Sequence, residues 1–209
     1  MQLYERPGWG SAIIEAQLAI LGLNCDLIPS GDLYSDPMAR ARIAALNPLI
    51  QIPTLVLDDG QVMTESAAIT LYLSELAGST LLVPPPGDPL RPAFLRWLIF
   101  IVANVYPCFT LAEVPTRFVA EAEAEAFKSR VTDHATSLWQ VMATEAEKTG
   151  GPWFFGPRFT ALDIYLAVMV HWRPRRAAFE TETPILAAIA ARATARPDMA
   201  AVMERNFPP

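Results

Sequence analysis

Between Ser11 and Gly22 the apolar residues Ile13, Ile14, Leu18 and Leu21 recur at helical spacing. Ser11 stands where a cap is expected, and Gly22 where the helix ends. Short apolar runs flank this helix, Gln2 to Tyr4 before the Pro7-Gly8 turn and Cys25 to Pro29 after it, and both read as strands. Asp36-Pro37 opens a further helix through Leu46, with Asp as cap and Pro in the first turn. Thr54 to Leu57 and Gln61 to Met63 read as strands joined by the Asp58-Asp59-Gly60 turn. A last helix starts after Thr64 and ends near Gly78, with Ala68, Leu71, Tyr72 and Leu76 as its expected inner face. The order β-α-β, helix, β-β-α predicts a four-stranded mixed sheet with helices packed on it, complete by residue 78.

The proline-rich stretch Val83 to Pro89 suits neither sheet nor helix, and residues 79–90 read as a linker. From 91 to 209 every periodic segment is helical. Residues 91–114 are apolar almost all round, which predicts burial on most sides. Glu121 to Lys148 places Phe127, Val131, Leu138, Val141 and Met142 on one expected face. Two further helices span Thr160 to Trp172 and Thr183 to Arg196. Thr160 and Asp163 have capping-box spacing, with Phe159 and Ile164 at the staple positions.

Composition narrows the function classes. A hydrophobic share of 52% with 18% charged residues excludes a disordered chain, and a net charge of −6 argues against nucleic acid. Arg173, Arg175 and Arg176 form the densest basic group and read as a solvated helix end. The opening MQLYERPG has no basic segment followed by an apolar core, so no signal peptide is expected. Trp97 to Ala112 is uncharged but short for a spanning helix and carries Asn104 and Pro107. Cys25 and Cys108 lack CxxC spacing, and His134 and His171 have no nearby cysteine ligands, so no metal site is expected.

Three segments carry chemistry when read together: Gln51-Ile52-Pro53-Thr54-Leu55, Thr64-Glu65-Ser66-Ala67-Ala68-Ile69, and Gly156-Pro157-Arg158-Phe159-Thr160-Ala161-Leu162-Asp163. Their order and spacing resemble glutathione transferases over nearly the whole chain, and the opening Leu3-Tyr4-x-x-Pro7-Gly8 is similar to the bacterial beta class. The resemblance implies a thioredoxin-like α/β domain over 1–78 and an all-helical domain over 91–209. It also implies a cytoplasmic homodimer that binds glutathione as a substrate, adds its thiolate to an apolar electrophile and needs no further cofactor.

Site roles follow from the same resemblance. Ile52-Pro53 would be a cis peptide exposing the Ile52 backbone to the cysteinyl unit of glutathione. Glu65 and Ser66 would hold the γ-glutamyl end at a helix N-terminus, whose free amides suit a carboxylate, and Gln51 the glycyl end. The thiol activator lies in the loop after the first strand, where Ser11 and Tyr4 supply hydroxyls. Trp9, Tyr106 and Phe109, with Val114 and Trp172, are apolar or aromatic residues suited to a co-substrate pocket.

The departures from the beta class are specific. Gly10 stands at that class's cysteine, so neither a mixed disulfide nor glutaredoxin-like exchange is available, and Tyr106-Pro107 aligns with its His-Lys pair. Two other functions stay open on the sequence. One is a glutathione-dependent isomerase, peroxidase or dehalogenase; the other is a non-catalytic carrier or interaction module.

Overall fold

The computed structural model describes residues 1–172 and 176–208. Arg173 and Arg175 of the basic group lie outside the described residues; Arg176 pairs with Glu180 at 3.2 Å. The chain divides into two compact units, one formed by Met1–Val83 with the segment from Ala193 on, the other by Pro84–Arg192. The sequence reading assigned everything after residue 90 to the helical part; the end of the chain instead belongs with the sheet. Residues 79–90 are also more than a tether, since Leu82 and Val83 are buried.

In the first unit, strands β1 (Gln2–Glu5), β2 (Asp26–Pro29), β3 (Thr54–Val56) and β4 (Val62–Met63) form one sheet in the order β2-β1-β3-β4. β1 runs parallel to β2 and antiparallel to β3, and β3 is antiparallel to β4. The parallel pair needs a crossover, and α1 (Ser11–Leu21) supplies it. Asp36 caps α2 (Pro37–Ala44) as expected, its side chain accepting from the Met38 amide at 2.8 Å. α1 differs: its cap position is Gly10, and Ser11 is the first residue inside the helix.

Helix α3 (Ser66–Leu76) buries a different face from the one its apolar residues suggest. Ile69, Leu73 and the polar Ser66, Thr70 and Ser74 are buried, whereas Ala68 is exposed and Leu76 is 49% exposed. The cause is a polar seam to α1. The fully buried Gln17 donates to Thr70 Oγ1 at 2.9 Å, and Thr70 donates to the Ser66 carbonyl at 2.8 Å.

Among the described residues of the second unit the named elements are all helices, with two isolated β-bridges between Trp153 and Arg158. α4 (Arg91–Phe100) continues through a π-helical turn, Ile101–Val105, into α5 (Tyr106–Glu113), and the turn sits where Pro107 withdraws a donor. This run would suffice in length and composition to cross a membrane, yet only 33% of its most apolar stretch is buried. The expected all-round burial therefore fails: Ile99 is 52% exposed, and Pro92 and Ala103 also face outward. In α6 (Ala124–Thr149) the inner face is Ala135, Trp139, Met142, Ala143 and Ala146, with Val141 exposed. The small residues let Trp139 seat edge-on to Phe179, which displaces the apolar face inferred from sequence. α7 (Ala161–Met169) is wholly buried and carries the expected capping box. Asp163 accepts from the amides of Thr160 (2.7 Å) and Phe154 (2.8 Å), and burial pushes its carboxyl up to about 6. The short helices α8 (Arg176–Glu182) and α10 (Ala200–Asn206), on either side of α9 (Pro184–Thr194), have no counterpart in the sequence reading.

Candidate functional site

The sheet register gathers the motif residues of the first unit at one end. Tyr4 pairs with Thr54, and Leu55 pairs with Met63. The carboxyl end of β1, the start of β3 and the end of β4 therefore lie together, beside the starts of α1 and α3. The Ile52–Pro53 bond entering β3 is cis. Neither the amide nor the carbonyl of Ile52 bonds to another described residue, which leaves an open backbone edge.

Two non-glycine residues among those described have left-handed φ: Ile50 (56°) and Glu65 (64°). Such a conformation costs a side-chain-bearing residue about 1–3 kcal/mol and persists only where surrounding structure enforces it. Both flank this end of the sheet. Ile50 lies two residues before the open Ile52 edge, and Glu65 sets the entry into α3 with its carboxylate in solvent. Ser66, the first residue of α3, is buried.

Asn47 is the side chain that enforces the first of these, and sequence reading missed it. Buried to 4% exposure, it donates to the Gln51 carbonyl at 2.9 Å and accepts from the Leu49 amide at 3.0 Å. Its own carbonyl accepts from the Ile50 amide at 2.8 Å, and Thr54 Oγ1 adds a second bond to the Gln51 carbonyl at 2.8 Å. Gln51 is thus fixed through its backbone while its side chain stays exposed. The Asn47-Pro48 pair is a turn signal that marks the position but not the bonds it makes.

The two hydroxyls expected near the thiol, one in β1 and one at the start of α1, have different fates. Ser11 is fully buried: its Oγ accepts from the Arg6 amide at 3.0 Å and donates to the Arg6 carbonyl at 3.2 Å. It closes the β1–α1 loop on itself, its hydrogen already given to the Arg6 carbonyl, which weighs against the expected role as thiol donor. Tyr4 alternates to the opposite face of β1 from the buried Leu3 and Glu5. It packs, half-buried, on the cluster of Leu33, Ala39, Ile43 and Ile52 that also carries Trp9 and Ile50. Its hydroxyl bonds to no described residue. Burial pushes both Cys25 and Cys108 thiols up, so neither is primed as a thiolate.

The expected co-substrate residues fall in two groups, each within its own unit. In the first unit Trp9 lies 4.7 Å from the Tyr34 ring, and the Arg6 guanidinium carbon is 4.7 Å from the Trp9 ring centre. Arg6 pairs with Asp32 at 2.9 Å, and Asp32 is held at about 2, first by the Tyr34 amide and then by Arg6. In the second unit Tyr106 and Phe109 both meet Trp172 edge-on, at 5.2 and 5.1 Å. Among the described residues no group of three His, Cys, Asp or Glu side chains is arranged to hold a metal.

A β2-β1-β3-β4 sheet with α1 as crossover and a proline-turned edge entering β3 is the thioredoxin-like arrangement. Followed by an all-helical unit, it defines the glutathione transferase class of fold. The glutathione S-transferase N-terminal domain family matches residues 15–76. The uncharacterized GST-like protein YncG of Escherichia coli K12 is 34% identical over 206 residues, covering 99% of this chain and 98% of its own. Glutathione S-transferase GstA of Escherichia coli O157:H7 is 30% identical, with 82% of each chain covered. The solved structure of a sphingomonad glutathione S-transferase complexed with glutathione superposes with a TM-score of 0.80 at 25% identity, covering 100% of both chains. The chain belongs to the glutathione S-transferase family.

Proposed function

We propose that this protein binds reduced glutathione at the gathered end of its sheet, holds the thiol as thiolate and adds the sulfur to an apolar electrophile. The observation that carries the reading is the pair of left-handed residues, Ile50 and Glu65, which flank an unpaired backbone edge at Ile52 and the N-terminus of α3. The Ile52 edge suits the cysteinyl unit as one strand suits another. Ser66 and the first amides of α3 suit the γ-glutamyl carboxylate, the exposed Glu65 its ammonium group, and the Gln51 side chain the glycyl end. Tyr4, not Ser11, is the hydroxyl with a hydrogen bond to give, and the N-terminus of α1 adds its dipole. Trp9 in the first unit and, separately, Tyr106 and Phe109 in the second are proposed as candidate contacts for the electrophile. Glutathione is the substrate, and the proposed reaction needs no cofactor.

Calorimetry with reduced glutathione tests the site: Glu65→Ala should weaken binding at least tenfold, and equal affinity in both proteins would remove the assignment. The unbridged cysteines suit a cytoplasmic protein. We also propose a homodimer, supported by the uncovered apolar faces of α3 and of the 91–113 run. Light scattering at micromolar concentration should give about twice the 23.0 kDa chain mass, and a clean monomer would count against it.

A further inference from the structure

Helix α10 reaches back across the sequence to the loop that follows β1. Asn206, 5% exposed, accepts from the Gly8 amide through Oδ1 at 3.1 Å. Its Nδ2 donates to Glu15 Oε2 and to the Val202 carbonyl, both at 2.9 Å. The neighbouring Arg205 bonds both carboxylates that bracket the loop. Its Nε donates to Glu15 Oε1 at 2.8 Å, a second contact from Nη2 reaches Glu15 Oε2, and Nη2 also lies 3.1 Å from Glu5 Oε2. Glu5 ends β1 and Glu15 lies in α1, with side chains only 4% and 9% exposed. Two buried carboxylates converging on one cation would repel each other without it, so the arrangement requires α10 in place. Gly8 has φ 79°, and a Cβ there would stand 3.4 Å from the Asn206 carbonyl oxygen, which shows how closely the helix end approaches the loop.

We propose that Arg205 and Asn206 are positioning residues: α10 clamps the β1–α1 loop from behind and so fixes the segment that shapes the thiol site. The anchored span is short. Glu5 is held at one end, Gly8 in the middle and Glu15 within the helix, and Ser11 closes the loop internally on Arg6. Trp9 lies between two of these anchors and packs on the same cluster as Tyr4 and Ile52. Loosening Gly8 therefore disturbs the surroundings of the proposed thiol donor without removing a group that touches glutathione. The role at the thiol rests on the glutathione reading above; the clamp on the loop does not.

The test uses the full chain in two measurements. Amide hydrogen exchange on the ligand-free protein should show residues 6–10 exchanging at least tenfold faster in Asn206→Ala, with the second unit unchanged. Ultraviolet titration of bound glutathione should show its thiol pKa raised by about half a unit or more, a threefold loss of thiolate below the pKa. Thr160→Ala, which weakens the α7 cap in the second unit, is the matched control for general destabilisation and should change neither. Arg205→Lys keeps a cation but not the fork, and is the milder variant should Asn206→Ala fail to fold; the same loop should loosen, to a smaller degree. Loop exchange that is unchanged, or raised equally in Thr160→Ala, overturns the clamp. A loosened loop with an unmoved thiol pKa overturns its role at the site. If the wild-type protein takes up no glutathione, the functional reading fails, and exchange at residues 6–10 still decides whether α10 holds the loop.

Discussion

Tyr4→Phe and Ser11→Ala should have opposite signatures, and the structure sets the size of each. The Tyr4 hydroxyl makes no bond within the described chain, so its loss should change stability by about 0.5 kcal/mol or less. If it donates to the bound sulfur, it contributes a hydrogen bond to a charged group, about 1.5–3 kcal/mol. At about 1.4 kcal/mol per unit, that is a rise of one to two units in the thiol pKa on removal. Ser11 is the reverse case. Its Oγ bridges the Arg6 amide and carbonyl at a fully buried position, so Ser11→Ala leaves an amide without its acceptor and should cost about 1–3 kcal/mol of stability. The bound thiol should then move by only about half a unit, the effect of a loosened loop, against one to two units for Tyr4→Phe.

Turnover at a single pH is the wrong assay for this contrast. A bound thiol of pKa about 6.5 is roughly three-quarters thiolate at pH 7, and one of about 7.5 roughly one quarter, a threefold loss. A more basic thiolate is also a better nucleophile, by about threefold per unit for a Brønsted coefficient near 0.5, so the two effects nearly cancel. The informative measurements are the ultraviolet titration of the bound thiol and urea unfolding of each variant. The reasoning is refuted if Ser11→Ala raises the thiol pKa while Tyr4→Phe leaves it unmoved.

Other predictions rest on single residues. Asn47→Ala strips the Leu49 amide of its acceptor and the Gln51 carbonyl of one of two donors; stability should fall by about 1–3 kcal/mol, and glutathione affinity by about tenfold in calorimetry. A loss of stability with unchanged affinity would make Asn47 a fold residue only. Asp163 gives a pH dependence of defined sign: its folded carboxyl is raised to about 6 from 3.8, so the folded state retains a proton that the unfolded state has lost. Stability should therefore fall as pH rises from about 4 to about 6, by up to about 3 kcal/mol, and urea unfolding should show this fall in the wild type and not in Asp163→Asn.

Much of this fold is legible in local sequence signals. Asp36-Pro37 marks the start of α2, and Thr160 with Asp163 marks α7, because a cap needs only residues a few positions apart. The four strands follow from short apolar runs and turns, and their order gives the mixed sheet. Ser11 shows where local reading stops. A hydroxyl beside a helix start is visible in sequence, but whether it faces solvent or folds back on Arg6 depends on the loop path between them. Asn206 and Glu15 are 191 residues apart, and nothing in either neighbourhood announces that they meet. The short α10 carries too few residues for a period to emerge, so the segment holding the loop was the least visible part of the chain.

The misassigned helix faces have a common physical origin. An apolar stripe shows that a surface avoids water; it does not show which surface covers it. In α3 the face toward α1 is held by the Gln17–Thr70–Ser66 seam, so Ala68 and Leu76 are left outward. In the 91–113 run, Phe94, Trp97, Leu98 and Ile101 fill the core and leave Pro92, Ile99 and Ala103 uncovered. Leaving Ile99 and Leu76 about half exposed forfeits roughly 1 kcal/mol each relative to full burial, a cost that a partner's surface would recover. The homodimer proposed above would supply such a surface from a second copy, because each stripe recurs on it. A dimer in light scattering would mean that the sequence pattern reports burial against a second copy, whereas a monomer would leave the expected burial wrong for both helices.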